Sequence, residues 1–310
     1  MRPQLSIIIV NWNTKDCLRD CLKSIYEKVG NVYFEIIVVD NASADGSLDM
    51  VTIEFPMVRL IADKENVGFG RGCNHGAKEA KGKYLLILNP DIEIIEVNFK
   101  ELFNLFKENH DIGVITPIVF DGDGSPRYTS KRTILSPVEA FNYIYRYRWW
   151  RLPTFRGIPS LSFTEVQDQD YPPGLCFLTP TFIFKKLGGF DEGFFLYFED
   201  TDLGVRLTRA GLKTVSCPTF RIKHLGGKAS SQDVHKRDIS LHRSAVYFFR
   251  KTYGIKSYML IKLLLISGVI LDTAYISLKY LLRRLSTEDF RILFRGSLKI
   301  LKWHIMNPVI

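Results

Sequence analysis

Four polar clusters in this chain stand directly behind runs of apolar residues. Asn11-Trp12-Asn13 follows the run 6–10, Asp40-Asn41 follows 35–39, and Asn89-Pro90-Asp91 follows 84–88. The fourth, Asn66-Val67-Gly68-Phe69-Gly70-Arg71-Gly72-Cys73-Asn74-His75-Gly76, follows 58–62. Open α/β sheets bind ligands beyond the carboxyl ends of their strands, so four such clusters predict one site along a shared sheet edge. Asp91 is a lone carboxylate on a tight corner. It suits Mg²⁺ or Mn²⁺, ions that take one or two protein carboxylates and complete their shell with water and substrate phosphates. The plainer reading is a turn aspartate. Later in the chain an aromatic stretch, 188–198, leads into Glu199-Asp200-Thr201-Asp202. Acids at that place can cap a helix through its dipole. Three of them behind aromatics are more than a cap requires, and a carboxylate at an aromatic-walled cleft suits a general base. His224 closes the run 220–223 as either a ligand or a structural histidine.

Other chemistries fit less well. Gly68-x-Gly70 has Cys73 where a dinucleotide-binding loop needs its third glycine, and it follows the third strand rather than the first. There is no Gly-x-x-x-x-Gly-Lys-Ser/Thr and no His-Glu-x-x-His. The five cysteines (Cys17, Cys21, Cys73, Cys176, Cys217) are scattered without a Cys-x-x-Cys pair, which argues against a zinc ribbon or a disulfide framework and for reduced, buried thiols in a cytoplasmic setting.

The elements that must position these groups alternate. Strands are expected at 6–10, 35–40, 58–62, 84–88 and 113–116. Helices are expected from Leu18 to Tyr26 behind an Asn13-Thr14 cap, from Asp45-Gly46-Ser47, over 70–80 and over 99–108. Strands separated by helices imply right-handed βαβ units and a mainly parallel sheet. The chain opens straight into a short strand-like run rather than the apolar stretch of a signal peptide. The rhythm breaks over 121–170. A helix is expected from Glu199 to Ala210, stopped by Gly211, and three more over 237–253, 257–284 and 288–304.

With 310 residues, 46% of them apolar and 24% charged, the composition is that of an ordinary globular protein with a sizeable core. The net charge of +9 is concentrated in residues 250–310, where eleven lysines and arginines face three acids, a net of +8. The Leu/Ile-rich stretch 258–282 is a poor membrane span because Asp272 would lie near its centre. Together with Arg283-Arg284 and 290–295 it reads as an amphipathic region lying on an anionic membrane surface, with a packed core or dimer helix, or a true span, as alternatives. Nucleic-acid binding through this tail is disfavoured by the interleaved Leu and Ile. The segment 143–151, dense in Tyr, Trp and Arg, reads equally as a sugar-acceptor contact or as a packed helix with snorkelling arginines.

Taken together, residues 9–13, 38–47, 66–76, 88–91, 188–192 and 196–203 resemble the motifs of glycosyltransferase family 2, and are most similar to its bacterial rhamnosyltransferase-like branch, over about residues 5–250. The resemblance implies an α/β GT-A fold: a Rossmann-like, mixed but mainly parallel sheet flanked by helices, here with a helical C-terminal extension. It implies a transferase domain over 1–250, with a nucleotide-sugar-binding half (1–120) and an acceptor and catalytic half (121–250), followed by the basic tail 251–310. The implied activity is inverting transfer from a nucleotide-diphosphate sugar, with dTDP-rhamnose favoured, to a cell-surface polysaccharide or lipid-linked glycan by an enzyme on the inner face of the cell membrane. A catalytically silent sugar-nucleotide-binding subunit of the same fold is the alternative. Carried over by position, Asn11, Trp12, Asp40 and Asn41 hold the base and its surroundings. Asn66, Gly68, Arg71, Asn74 and Asn89 line the donor pocket. Asp91 and His224 hold the metal, Asp200 is the base and Glu199 touches donor or acceptor. In one departure, Asn89 replaces the first acid of the family's Asp-x-Asp motif.

Overall fold

The aliphatic runs form the strands expected of them, because each can be covered on both faces. A computed structural model describes residues 2–30, 32–127, 136–149, 166–169, 172–226 and 234–307. In chain order the elements begin β1 (Leu5–Asn11), α1 (Lys15–Lys28), β2 (Phe34–Asp40), α2 (Ser47–Glu54), β3 (Arg59–Ala62), α3 (Phe69–Glu79) and β4 (Tyr84–Leu88). There follow β5 (Ile92–Val97), α4 (Phe99–Glu108), β6 (Ile112–Asp121), β7 (Pro126–Arg127), α5 (Pro137–Trp149), β8 (Gln167–Gln169) and β9 (Cys176–Pro180). The chain ends with α6 (Thr181–Lys186), α7 (Glu199–Arg209), β10 (Lys213–His224), α8 (Val234–Tyr253), α9 (Ile255–Leu281) and α10 (Thr287–Met306).

Two compact units result. The first contains the sheet, in the order β3-β2-β1-β4-β9-β6-β10-β5 with β7 and β8 at its margin. β3, β2, β1 and β4 run parallel, β9 runs antiparallel to both β4 and β6, and β10 is parallel to β6 but antiparallel to β5. Alternation along β1 divides the core. Ile7 and Ile9 join Leu18, Leu22 and Leu102 on one face, while Ile8 and Val10 join Cys73, Phe184 and Leu203 on the other.

Two expectations are corrected here. The strand β5 was not anticipated. It pairs with β10 so that His224 lies opposite Ile92, the residue next to Asp91. The Asn13-Thr14 cap does not form either. The Thr14 hydroxyl donates to Asn11 Oδ1 (2.7 Å), and the first N–H of α1, from Lys15, goes to Asp45 Oδ2 (2.8 Å). Burial pushes the Asp45 carboxyl up, but hydrogen bonds from Ser47 and from Lys15 N outweigh it and hold it below the usual carboxylate range.

The second unit packs α5, α8, α9 and α10 as helices. Gly268 of α9 admits the rings of Phe141 and Tyr145 from α5; a Cβ there would lie 2.5 Å from the Tyr145 ring. Of the Tyr/Trp/Arg segment, Tyr145 is buried in this packing, whereas the side chains at 143 and 146–149 and all of 150–151 lie outside the described residues. A hydrogen-bonded relay ties the four helices. Tyr145 Oη donates to Leu265 O (3.1 Å) and accepts from His242 Nε2 (3.4 Å), which leaves His242 Nδ1 to accept from His304 Nε2 (3.0 Å). Among the described residues, His304 Nδ1 is then buried without a partner. Burial, reinforced by the charge of Lys262, lowers the His304 pKa to about 4. An unfolded histidine binds a proton near pH 6.5. The folded unit therefore loses stability as pH falls from about 6.5 to about 4. We predict that amide-exchange protection of α8 and α10 declines across that window, and that His304→Phe flattens the decline; an unchanged pH profile in the variant would rule this out.

Candidate functional site

All thirteen residues singled out from the sequence fall in the first unit: Asn11 and Asp40 end β1 and β2, Trp12 and Asn41 follow them, Asn66 and Gly68 lie between β3 and α3, Arg71 and Asn74 lie within α3, Asn89 and Asp91 lie between β4 and β5, Glu199 and Asp200 open α7, and His224 ends β10. Asn11 is fully buried and donates to Asp40 Oδ1 (2.8 Å) and Ser43 Oγ (3.1 Å), while Asp40 Oδ2 accepts from Ser43 N (2.8 Å). The Asn11–Asp40 pair therefore braces the turn behind β2. Trp12 is half-buried immediately beside it. Ser43, which also accepts from Asn13 N, was not picked out from the sequence.

The glycine loop folds back onto the aromatic stretch. Asn66 Oδ1 accepts from Gly68 N (3.0 Å), Asn41 Nδ2 donates to Gly68 O (3.1 Å), and Phe69 N donates to Phe195 O (3.0 Å). Gly68 has φ +91°, and a Cβ there would stand 2.3 Å from Phe195 O, so both backbone conformation and space demand glycine. Further along α3, Asn74 accepts from Phe190 N (2.9 Å) and donates to Phe190 O (2.8 Å) and Glu192 Oε1 (3.2 Å). Its amide positions the 188–192 turn. Arg71 Nε meets Glu192 Oε2 at 3.0 Å with both side chains nearly half exposed.

The acids converge through the sheet. Asn89 N donates to Leu175 O (2.9 Å) where β4 and β9 meet, and Gly174 N donates to Asp200 Oδ2 (2.9 Å). The dipeptide Gly174-Leu175 is thus hydrogen-bonded at one end to Asp200 and at the other to the start of the Asn89-Pro90-Asp91 corner. Its Oδ1 accepts from Thr201 N (2.6 Å) and Thr201 Oγ1 (3.2 Å), which fixes the carboxylate plane. Gly174 leaves room for this: a Cβ would crowd Asp200 Oδ2 at 3.2 Å. Its partnership with Asp200 had no signal in the sequence beyond a glycine behind two prolines. Glu199 is buried, and burial followed by the negative charge of Asp200 raises its pKa to about 8. It therefore holds its proton at neutral pH. Because the unfolded glutamate ionises near pH 4.5, stability is lost as pH rises from about 4.5 to about 8. Glu199→Gln should raise the thermal midpoint by a margin that grows through that window; a constant margin in a pH series would contradict it.

Asp91 and His224 form the second pole. His224 Nε2 lies 3.2 Å from Asp91 Oδ2, and both are largely buried. No group of three or more His, Cys, Asp or Glu able to hold a metal occurs among the described residues. The donor set still fits a hard divalent cation that relies on substrate phosphates. It comprises one carboxylate, one imidazole and Asn89 Oδ1, which is buried without a hydrogen-bond partner. Among the described residues, three buried side-chain oxygens lack a partner: Asn41 Oδ1, Asn89 Oδ1 and Glu199 Oε2. All three belong to the sequence-predicted set. Buried polar atoms are normally satisfied, so each of the three is open to a bound molecule.

Residues 6–169, more than half of the chain, match the family model for glycosyl transferase family 2. The chain belongs to glycosyltransferase family 2. It is similar to the N-acetylglucosaminyl-diphospho-decaprenol L-rhamnosyltransferase of Mycobacterium tuberculosis, with 26% identity over 229 residues, 69% of this chain and 73% of that protein. It is also similar to the low-salt glycan biosynthesis hexosyltransferase Agl10 of Haloferax volcanii, with 24% identity over 72% of this chain and 68% of the relative. Among solved structures it resembles GalNAc-T7 with UDP, GalNAc and Mn²⁺, at a TM-score of 0.57 and 18% identity over 80% of this chain and 48% of that one. It also resembles the mannosyltransferase PcManGT from Pyrobaculum calidifontis in complex with GDP-Man and Mn²⁺, at a TM-score of 0.53 and 17% identity over 99% of this chain and 85% of that one. The family 2 chain therefore has a GT-A glycosyltransferase fold, a mixed sheet flanked by helices with a helical C-terminal extension.

Proposed function

We propose that this family 2 member is an inverting glycosyltransferase. It takes a sugar from a nucleoside-diphosphate donor, with dTDP-rhamnose the first candidate, and passes it to a lipid-linked or cell-surface glycan. The observation that carries the reading is that the buried side-chain oxygens without a partner among the described residues, on Asn41, Asn89 and Glu199, all belong to the sequence-predicted set, Asn89 and Glu199 standing next to the Asp91–His224 pair and Asp200 in the chain. The rhamnosyltransferase relative supports the sugar and the acceptor class, and the solved neighbours with nucleotide and Mn²⁺ support the donor class and the ion.

In this reading Trp12, Asp40 and Asn41 receive the base. Asn66 and Gly68 shape the loop over the donor, Asn74 holds the neighbouring turn, and Arg71 leaves Glu192 for the donor. Asp91 and His224, with Asn89 Oδ1, would hold Mg²⁺ or Mn²⁺, whose charge lowers the cost of a diphosphate leaving group. Asp200 Oδ2 has one hydrogen bond from the described residues, to Gly174 N, and so retains capacity to accept the acceptor hydroxyl proton. As the acceptor's hydroxyl oxygen bonds to the anomeric carbon from one face and gives its proton to Asp200, the bond to the diphosphate breaks on the other face and its electrons leave with the nucleoside diphosphate. Glu199, holding its proton, donates to a substrate oxygen rather than competing as base.

Thermal denaturation with a panel of nucleotide sugars, with and without Mn²⁺, tests the donor assignment. A ligand that binds only the native state at a hundred times its Kd adds about 2.7 kcal/mol of stability. One nucleoside-diphosphate sugar should raise the midpoint, and further so with Mn²⁺. If none does, the donor assignment is wrong. If one does but no sugar reaches a polyprenyl-diphosphate acceptor, the chain binds donors without that transfer.

A further inference from the structure

The second unit carries two ridges that the transfer reading does not use. Between Lys256 and Arg283, every solvent-exposed position of α9 is apolar or tyrosine. Met259, Leu263, Ile270, Leu278 and Leu281 are each more than half exposed. At helical spacing they make a stripe about 40 Å long at most, with Lys256 at one end and Arg283 and Arg284 at the other. The charges inside α9 are turned away from it: Asp272 is buried, Lys262 Nζ donates to Asn307 O (2.6 Å), and Lys279 Nζ lies over the Tyr275 ring at 4.7 Å. The neighbouring helix α10 packs antiparallel against α9, with Tyr280 stacked on Phe290 (4.3 Å). It exposes Arg291, Arg295, Lys299 and Lys302 three or four residues apart, a single basic ridge interspersed with exposed Ile292, Leu298 and Ile305.

We propose that α9 and α10 form a monotopic docking surface for an anionic lipid bilayer, α9 entering the headgroup boundary along its apolar stripe and α10 laying its basic ridge on lipid phosphates. Charge complementarity favours this occupant. A second copy of the chain would bring another tail of net +8 against the first, and antiparallel pairing along α9 would set Arg283 and Arg284 beside the other copy's Lys256. α9 is long and apolar enough to cross a membrane. A span is nevertheless disfavoured, because its remaining faces are packed by α5, α8 and α10, and α8 and α10 would carry Arg243, Lys251, Arg291, Arg295, Lys299 and Lys302 into hydrocarbon. A helix with one apolar face and basic neighbours lies in the interface instead.

The test uses the full chain and does not depend on sugar transfer. The protein is sedimented with vesicles of phosphatidylcholine alone, or mixed equally with phosphatidylglycerol. It should bind the anionic vesicles at low salt, release as salt rises and bind phosphatidylcholine weakly. Arg291→Glu, Arg295→Glu and Lys299→Glu combined should weaken anionic binding by roughly a hundredfold. Leu263→Ser, Ile270→Ser and Leu278→Ser combined should weaken it at every salt concentration. Circular dichroism confirms that each variant is folded. Three results would overturn the proposal: wild-type protein left in the supernatant at low salt, either folded variant binding like wild type, or vesicle-bound protein surviving alkaline carbonate, which means a span. A wild-type dimer that the serine variant converts to monomers, without vesicle binding, would assign the stripe to a second copy.

Discussion

The Asp200→Asn protein should bind the nucleotide sugar with near wild-type affinity and transfer it about 10²–10⁴-fold more slowly, the range that a positioned general base contributes. The substitution is nearly isosteric: the one amide oxygen can keep the bond from Thr201 N, while Gly174 N then faces the amide NH2, and the proton-accepting carboxylate is gone. Titration calorimetry gives the donor affinity and a single-turnover transfer assay gives the rate. Turnover within a few-fold of wild type would remove Asp200 from the role of base. Loss of donor binding and turnover together would make it a scaffold for the Gly174 loop instead.

The second large effect concerns Gly68→Ala. Two penalties add at this position. A non-glycine residue at φ +91° costs of order 1–3 kcal/mol, and the new methyl meets Phe195 O at 2.3 Å, where neither backbone can yield freely. The loop must leave Phe195, breaking the hydrogen bonds from Phe69 N to Phe195 O and from Asn41 Nδ2 to Gly68 O. Donor affinity should fall at least about tenfold, the equivalent of ~1.4 kcal/mol, and the thermal midpoint should drop with it. Wild-type donor affinity in Gly68→Ala would show that the loop does not shape the donor site.

Much of this arrangement is written into residue type and spacing. β1, β2 and β4 announce themselves as unbroken aliphatic runs, and the polar residues behind them are those found at the sheet edge. β5 is harder to see. Ile92-Glu93-Ile94-Ile95-Glu96-Val97 is short, begins one residue after the Asn-Pro-Asp corner and is half-exposed, so local pattern does not separate it from the turn. Its existence depends on β10, more than a hundred residues later, and only that pairing brings His224 to Asp91. The Gly174–Asp200 bond is opaque for a related reason. A backbone N–H has no residue-type signature, and its acceptor is set by the meeting of β9 and α7. The failed Thr14 cap shows competition: Asn11 lies three residues away and takes the hydroxyl.

The position of β9 between β4 and β6 has a consequence for dissecting the molecule. A fragment cut near residue 120 would keep β1 to β4 but strip the partner from one side of β4. The row Tyr84–Leu88, wholly buried in the intact chain, would become an open aliphatic margin able to recruit other strands. Such a piece should precipitate on expression, so bisection of this enzyme is better attempted in trans, with the strand-bearing remainder co-produced to cap that margin.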